Sequence, residues 1–255
     1  MSYNGKAALI NDELEDIVSS PKRERQTKRK TTVNHKSERL DVREIQALNE
    51  PQRQMIFAFK EGLNIAAIGS AGTGKSYLAS YLALKALFGK EVSKIVVVRS
   101  AVPTRDMGFL PGTLQEKSEV YTIPYRQIFN DLCDNGTAWD ILVKKGYVEF
   151  ITTSFVRGIT IDNAVVILDE SQSMTFHELD SVVTRAGFNT RMIVCGDTKQ
   201  NDLQNPKKER SGLDDFLKVI KEIPKYFDVV TFTRNDIVRS ELVRQWIITK
   251  EELGL

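Results

Sequence analysis

The sequence predicts an α/β protein with a mostly parallel β-sheet and helices on both faces. Six short apolar runs of buried-strand length recur along the chain, and helical stretches separate most of them. Parallel strands need a crossover, usually a helix, so this alternation favours a parallel sheet covered on both sides. Ligands on such a sheet bind at the carboxyl ends of the strands, where we therefore expect the functional residues.

The chain divides into two parts at about residue 40. Between Pro21 and Arg39, eight Lys or Arg face two Glu, a net charge of +6, whereas the whole 255-residue chain carries +2. This segment has too few apolar residues to offset the entropy of ordering, so residues 1–40 are predicted to be a disordered basic N-terminal extension. It is either a solvated tail that aids solubility or an arm that contacts nucleic-acid phosphates.

Composition argues against several classes of protein. The two cysteines, Cys133 and Cys195, are far apart and lack C-x-x-C spacing, which argues against a disulfide framework or a zinc site. The N-terminus lacks a basic start followed by an apolar core, and no apolar run approaches the roughly 18 residues of a membrane span. The sequence therefore predicts a cytoplasmic protein with no membrane partner.

The elements are predicted in chain order from hydrophobic patterning and end signals. A first helix begins at the Asn49 cap and closes at Gly62, the strand "LNIAAI" follows, and a second helix runs from Lys75 to Phe88 and ends at Gly89. The helix in "TFHELDSVVTRA" begins with a Thr175 and Glu178 capping box. The further strands are predicted at "KIVVVR", "YVEFIT", "AVVILD", "RMIVCGD" and "FDVVTF".

A glycine-rich turn links the first strand to the second helix. Gly69 through Ser76, "GSAGTGKS", matches G-x-x-x-x-G-K-[ST] in the strand-to-helix context that a phosphate-binding loop requires. Backbone N–H groups of such a loop point at phosphate oxygens only where side chains do not intrude, which accounts for the glycines. Lys75 is predicted to face the β- and γ-phosphates of a nucleotide, and the Ser76 hydroxyl to face Mg²⁺. The predicted binding residues in this loop are Gly69, Ala71, Gly72, Thr73, Gly74, Lys75 and Ser76.

Acidic and amide residues follow two later strands. Asp169 ends the strand in "AVVILDESQ", and Glu170 comes directly after it. Asp169 is predicted to hold hydrated Mg²⁺, and Glu170 to polarise the attacking water. In "RMIVCGDTKQNDL" a polar loop at the same edge is predicted to carry Gln200 to the γ-phosphate.

Several motifs together resemble the PhoH-like family of ATPases, relatives of the first RecA-like domain of superfamily 1 helicases. The resemblance covers roughly residues 45 to 250 and implies a RecA-like P-loop NTPase fold over residues 41–255, with ATP and Mg²⁺ as cofactors and work linked to RNA. It also implies that Gln52, in "LNEPQ", reads the adenine edge, which an amide suits because it both donates and accepts hydrogen bonds. The motifs are "GSAGTGKSYLA", "GFLPGTLQEK", "VRGITIDNAVVILDESQ", "TRAGFNTRMIVCGDTKQNDL" and "SGLDDFLKVI".

Two positions depart from the family pattern. Ser171 stands where the family usually has Ala, a small-for-small change that should leave the metal site intact. The stretch "RSAVPTRDMGF" begins with Arg-Ser where Arg-Pro is usual. Arg99 and Arg105 in this stretch are predicted to contact nucleic acid or a neighbouring subunit.

The chain's length after Gln200 predicts an oligomer. Only 55 residues follow Gln200, too few for a second RecA-like lobe to deliver an arginine to the nucleotide. A head-to-tail ring, most simply a hexamer, would supply that arginine from a neighbour. The candidates are Arg239, Arg234 and Arg157, of which Arg239 matches a family arginine in a "D-x-V-R" setting.

Two functions remain open from the sequence. The first is a ring-forming ATPase that acts on RNA or single-stranded DNA as a helicase-like motor or remodelling enzyme. The second is a nucleotide-gated binding or regulatory module with little turnover. The presence of both Asp169 and Glu170 favours the first, since a pure binder needs no base. A kinase is less favoured because no substrate lid or acceptor motif is apparent.

Overall fold

The computed structural model describes residues 40–100, 114–198 and 211–253, of which residues 114–118 are described by backbone alone. The predicted N-terminal extension, Arg105 and Gln200 lie outside these ranges. Within them, none of the helices has the length and apolar composition that crossing a lipid bilayer requires. Cys133 and Cys195 are both buried free thiols.

The described strands form one six-stranded sheet in which every neighbouring pair is parallel. Their spatial order is β3-β2-β4-β5-β1-β6, which confirms the predicted α/β fold class. The strands are β1 Asn64–Gly69, β2 Lys94–Arg99, β3 Val148–Thr152, β4 Ala164–Leu168, β5 Thr190–Gly196 and β6 Phe227–Phe232.

Helices cover the sheet and connect its strands. Short 3-10 turns at Thr153–Phe155, Ser171–Ser173 and Arg234–Asp236 follow the ends of β3, β4 and β6. The α-helices are α1 Glu50–Lys60, α2 Lys75–Phe88, α3 Leu114–Leu132, α4 Ala138–Lys144, α5 Phe176–Val183, α6 Leu213–Lys221 and α7 Glu241–Glu252.

The helix ends follow the signals in the sequence. The Asn49 side chain caps α1 by accepting the backbone N–H of Gln52 at 3.0 Å. Thr175 and Glu178 form the reciprocal capping box that opens α5. Helix α2 has the predicted bounds and is followed by Gly89. Local chemistry therefore sets where these helices begin and end.

The core lies in two apolar layers, one on each face of the sheet. Alternate strand residues point to opposite faces, so Ile65 and Ile167 join one layer while Ala66 and Val166 join the other. Helices α1 to α4 contribute to the first layer, and α5 and α6 contribute to the second. Every residue of β4 is buried. A sheet buried on both faces explains why its strands read as continuous apolar runs.

The sheet order determines where a ligand can bind. The connection from β1 leads to β2, towards the β3 edge of the sheet. The connection from β5 leads in the opposite direction, past β1 to β6 at the other edge. Such a reversal leaves a crevice at the carboxyl ends of the strands. Strand β5 separates β1 from β4, so the ends of these two strands lie about 10 Å apart at ordinary strand spacing.

Candidate nucleotide-binding site

The loop after β1 depends on its glycines for two different reasons. Gly69 has φ +136°, and a Cβ there would lie 1.7 Å from the carbonyl oxygen of Phe232 on β6, so only glycine fits. Gly74 has φ +85°, a left-handed conformation at the start of α2. Inside the loop, the Thr73 hydroxyl donates to the Ser70 carbonyl at 3.0 Å. The loop is thus fixed against β6 behind it and by its own hydrogen bonds.

Lys75 folds back onto the loop. Its Nζ donates to the carbonyl oxygens of Gly69 at 2.6 Å and Ser70 at 2.8 Å. Burial lowers the pKa of Lys75, while nearby acidic side chains, among them Asp197 and Asp169, act in the opposite direction. A phosphate at this loop would have to replace those carbonyls as the partner of the ammonium group.

Ser76 and Asp169 meet across β5. The Ser76 hydroxyl donates to Oδ1 of Asp169 at 2.8 Å. A hydroxyl that donates its proton keeps its lone pairs, so Ser76 can still ligate a metal. Hydroxyl and carboxylate oxygens suit Mg²⁺, which usually takes one or two protein oxygens together with phosphates and water. Among the described residues, no group of three His, Cys, Asp or Glu could hold a metal ion by itself, and the Ser76–Asp169 pair fits a Mg²⁺ shared with a nucleotide.

The other carboxylate oxygen of Asp169 has a partner from α3. The Tyr125 hydroxyl donates to Oδ2 of Asp169 at 2.8 Å, and both residues are buried. Burial, followed by the Asp169 charge, raises the pKa of Tyr125 well above its ordinary value, so the phenol stays protonated. Asp169 is therefore held by one donor on each oxygen.

Glu170 occupies a strained and partly buried position. Its backbone is left-handed, with φ +53°, which is uncommon for a residue with a side chain. Burial and then the neighbouring Asp169 charge raise the pKa of Glu170, and the positive charge of Arg99 opposes this shift. The Gln172 amide donates to Oε2 of Glu170, and the same amide accepts the backbone N–H of Asp197 at 3.1 Å. Gln172 thereby ties Glu170 to the end of β5.

One cavity of about 590 Å³ collects most of the predicted site residues. Two predicted site residues, Gly69 and Gln52, are described but do not line the cavity, and a third, Gln200, lies outside the described ranges. The predicted residues that line it are Ala71, Gly72, Thr73, Gly74, Lys75, Ser76, Asp169, Glu170 and Arg239. The cavity therefore brings together the residues that are predicted to bind phosphate, to hold the metal and to act as the base.

Gln52 lies behind the loop. It is 6% exposed, its amide nitrogen donates to the Thr73 carbonyl at 3.1 Å, and its amide oxygen accepts the backbone N–H of Leu48 at 2.8 Å. Gln52 thus supports the loop from α1. Its contact with an adenine edge stays a prediction.

Arg239 lies over the loop of its own chain. A Cβ at Gly72 would lie 3.1 Å from Cγ of Arg239, and the backbone N–H of Val238 donates to the Gly72 carbonyl at 2.9 Å. Arg239 also lines the cavity of its own subunit. Its predicted delivery to a neighbouring subunit stays a prediction.

The other arginines are distributed over different surroundings. Arg99, predicted as a nucleic-acid or subunit contact, lines the nucleotide cavity and lies 5.4 Å from the Tyr121 ring centroid. Arg234 pairs with Glu252 at 3.0 Å. Arg157 is exposed beside a separate cavity of about 280 Å³ that Ser154 and Ser181 also line.

Sequence reasoning missed two residues of the site. Gln172 stood inside the recognised Asp-Glu-Ser-Gln motif, but no role was assigned to it, although an amide beside two carboxylates is a signal for a hydrogen-bonding role. Tyr125 carried no signal, because it lies 44 residues before Asp169 in a helix whose pattern indicates only packing. Only the tertiary structure brings it to the carboxylate.

The loop, the paired carboxylates and the strand inserted between them place the chain among the P-loop NTPases with a RecA-like sheet. The family described as PhoH-like protein matches residues 44–250. The chain therefore belongs to the PhoH-like family, as the motifs predicted.

Two curated relatives illustrate the extent of the similarity. The PhoH-like protein of Bacillus subtilis (strain 168) is 38% identical over 200 residues, which are 77% of this chain and 60% of that protein. Protein PhoH of Escherichia coli (strain K12) is 36% identical over 207 residues, or 80% of this chain and 58% of that protein. The chain thus matches about three fifths of the length of these relatives.

Among solved structures, the similarity is distant. The Pif1 helicase from Candida albicans gives a TM-score of 0.43 at 16% identity, covering 82% of this chain and 44% of that chain. Unliganded Pif1 from Bacteroides sp. gives 0.37 at 16% identity, covering 82% and 48%. The fold assignment rests on the strand order and on the site itself.

Proposed function

We propose that the protein is a Mg²⁺-dependent ATPase that works on RNA or single-stranded DNA. The observation that carries the proposal is the meeting of Lys75, Ser76, Asp169 and Glu170 in one cavity. A module that only bound nucleotide would need the first three residues. A carboxylate held beside the metal site has a use in hydrolysis, where it accepts a proton from water.

The roles of the residues follow from their positions. The backbone of residues 71–76 and the ammonium of Lys75 would bind the phosphates, and Ser76 with Asp169 would hold Mg²⁺. The metal, when bound, neutralises charge that develops on the phosphates. Glu170 would take the proton of the attacking water, which requires its ionised form.

Arg239 is proposed to act within its own subunit. Its side chain lines the same cavity as Lys75, so it can stabilise charge on the transferred phosphoryl group without a neighbour. A hexameric ring remains a prediction of the sequence. In such a ring an additional arginine from a neighbour would come from another position, and the exposed Arg157 is the candidate we favour over the paired Arg234.

The nucleic-acid partner is proposed from the family resemblance and from the basic segment between Pro21 and Arg39. A segment with a net charge of +6 would bind phosphates with a marked dependence on salt. Removing residues 1–39 is therefore expected to weaken RNA binding and flatten its salt dependence. Unchanged binding would remove the segment from the proposal.

The deciding experiment is steady-state ATPase activity of the full chain with and without single-stranded RNA and DNA. Turnover that nucleic acid increases, and that Glu170→Gln abolishes, would support the proposal. Glu149→Gln, a change at an exposed carboxylate on β3, is the matched control and should leave turnover unchanged. If the protein binds ATP but hydrolyses it no faster than Glu170→Gln does, the alternative of a nucleotide-gated binding module is correct.

A further inference from the structure

Tyr125 combines full burial with a hydrogen bond to the proposed metal site. It lies in α3 with 1% of its surface exposed, and its ring packs on Trp139 and Phe150 at centroid distances of 6.4 and 5.8 Å. The ring is therefore fixed by the aromatic core. Its hydroxyl, at the far end of that ring, is 2.8 Å from Oδ2 of Asp169.

A buried phenol needs a hydrogen-bond partner, but the identity of this partner is informative. A backbone carbonyl could accept this hydrogen bond without affecting the proposed metal site. Here the acceptor is the carboxylate that also receives the Ser76 hydroxyl on its other oxygen. With one donor on each oxygen, the carboxylate plane of Asp169 cannot rotate without breaking a hydrogen bond.

The orientation of Asp169 matters for any metal that Ser76 binds. Hydrogen-bond partners of ligating groups fix their direction and tune their affinity for the metal. Tyr125 is neutral, so it orients the carboxylate without cancelling the negative charge that attracts a cation. A lysine or arginine at the same place would orient Asp169 and weaken its attraction for Mg²⁺ at once.

We propose that Tyr125 is a positioning residue that holds Asp169 in the orientation required for Mg²⁺ to bind with the nucleotide. The proposal rests on the proposed function, since it concerns the metal of the same site. It adds α3 to the parts of the fold that the metal site requires. The competing interpretation is that Tyr125 serves only to pack the aromatic core.

The test is Tyr125→Phe, which keeps the ring and removes the hydroxyl. The readout is binding of a fluorescent ADP analogue, titrated with Mg²⁺ and separately measured in EDTA. We expect the half-saturating Mg²⁺ concentration to rise about 10-fold, in the range found for partners of metal ligands, while binding in EDTA is unchanged. The matched control is Tyr81→Phe. The Tyr81 hydroxyl donates to Glu44 at 2.7 Å, and neither residue lines the cavity.

The outcomes separate this inference from the proposed function. If the unmodified protein shows no Mg²⁺-dependent nucleotide binding, the proposed function fails. If it does, and Tyr125→Phe has the same Mg²⁺ midpoint as Tyr81→Phe, the role of Tyr125 is overturned while the function stands.

A second measurement keeps the hydroxyl and so does not depend on the stability of Tyr125→Phe. A fluorine label on the ring of Tyr125 reports on the phenol by NMR. We expect its resonance to shift when Mg²⁺ is added to the ADP complex. A resonance that is the same with and without Mg²⁺ would contradict the proposal.

Discussion

The glycine loop and the carboxylate pair line one cavity, but they are held in place by different kinds of contact. The loop of residues 69–76 bonds extensively within itself, since Lys75 donates to the Gly69 and Ser70 carbonyls and Thr73 donates to Ser70. Bonds from Gln52 and Val238 add support from outside the loop. Asp169 instead depends on Ser76 and Tyr125, which come from two helices distant in sequence. A short motif can therefore specify the bonds inside the loop, whereas the position of Asp169, the predicted metal-binding carboxylate, requires the completed tertiary fold.

The largest expected effect separates the two regions by function. Glu170→Gln should lower ATP turnover by about 10² to 10⁴-fold, the usual contribution of a general base, and leave ATP binding at the loop intact. Burial raises the pKa of Glu170, so the ionised carboxylate destabilises the native state at pH values above the ordinary pKa of glutamate. The neutral amide removes that cost, so the free energy of unfolding at neutral pH should rise. Turnover and urea denaturation check both parts, and a variant that hydrolyses ATP normally would contradict the assignment.

A change at Gly69 tests how firmly the start of the loop is held against β6. Gly69→Ala places a Cβ against the Phe232 carbonyl at a φ of +136° and should destabilise the protein by about 3 kcal/mol or more. The control is Gly136→Ala, where a Cβ meets nothing within 4 Å and the change should stay within about 0.5 kcal/mol. Thermal or urea unfolding distinguishes the two. Equal stability of both variants would mean that β1 and β6 move apart at Gly69 with little loss of stability.

Gln52 supports the loop from α1, since its amide donates to the Thr73 carbonyl at 3.1 Å. Gln52→Ala removes the buried hydrogen bond to the Thr73 carbonyl and the acceptor of the Leu48 N–H, and should cost about 1 to 2 kcal/mol. If Gln52 also reads adenine, the preference for ATP over GTP should fall in the same variant. Gln54→Ala, on the exposed side of α1, is the control for both measurements. A loss of stability with unchanged nucleotide preference would limit Gln52 to supporting the loop.

The smallest expected effect concerns the charge around the carboxylates. Arg99 opposes the rise in the pKa of Glu170, so Arg99→Gln should raise that pKa further. The ionised base is lost as the pH falls through its pKa, and the acid limb of the kcat profile should therefore move to higher pH. Arg99→Lys keeps the charge and should leave the limb in place. If both variants move the acid limb equally, or neither moves it, the charge at position 99 does not set the pKa of the base.

The sequence predicted the parts of the molecule that local rules specify. The bounds of α2, the Asn49 cap and the Thr175 capping box depend on neighbouring residues, and all three are confirmed. Asp169 was found because a strand that ends in a carboxylate is a local pattern. Tyr125 was not found, since its partner lies on another element.

Arg239 shows a different limit of the same reasoning. The sequence identified the residue as a candidate, but not its place over the loop of its own chain. That depends on the contact between Val238 and Gly72, two residues far apart in the chain. Pairings of this kind follow from the packing of the whole fold and leave no periodic trace in the sequence.

Strand β5 is bonded along both sides, to β1 and to β4, and its residues from Met192 to Gly196 are buried. Its backbone amides can exchange their hydrogens with solvent only when the sheet itself opens. Strand β5 therefore separates the loop after β1 from the carboxylates after β4, and this separation is as stable as the sheet itself. Loops around the cavity can fluctuate on their own, but the spacing between the ends of β1 and β4 is maintained by the backbone hydrogen bonds on both sides of β5.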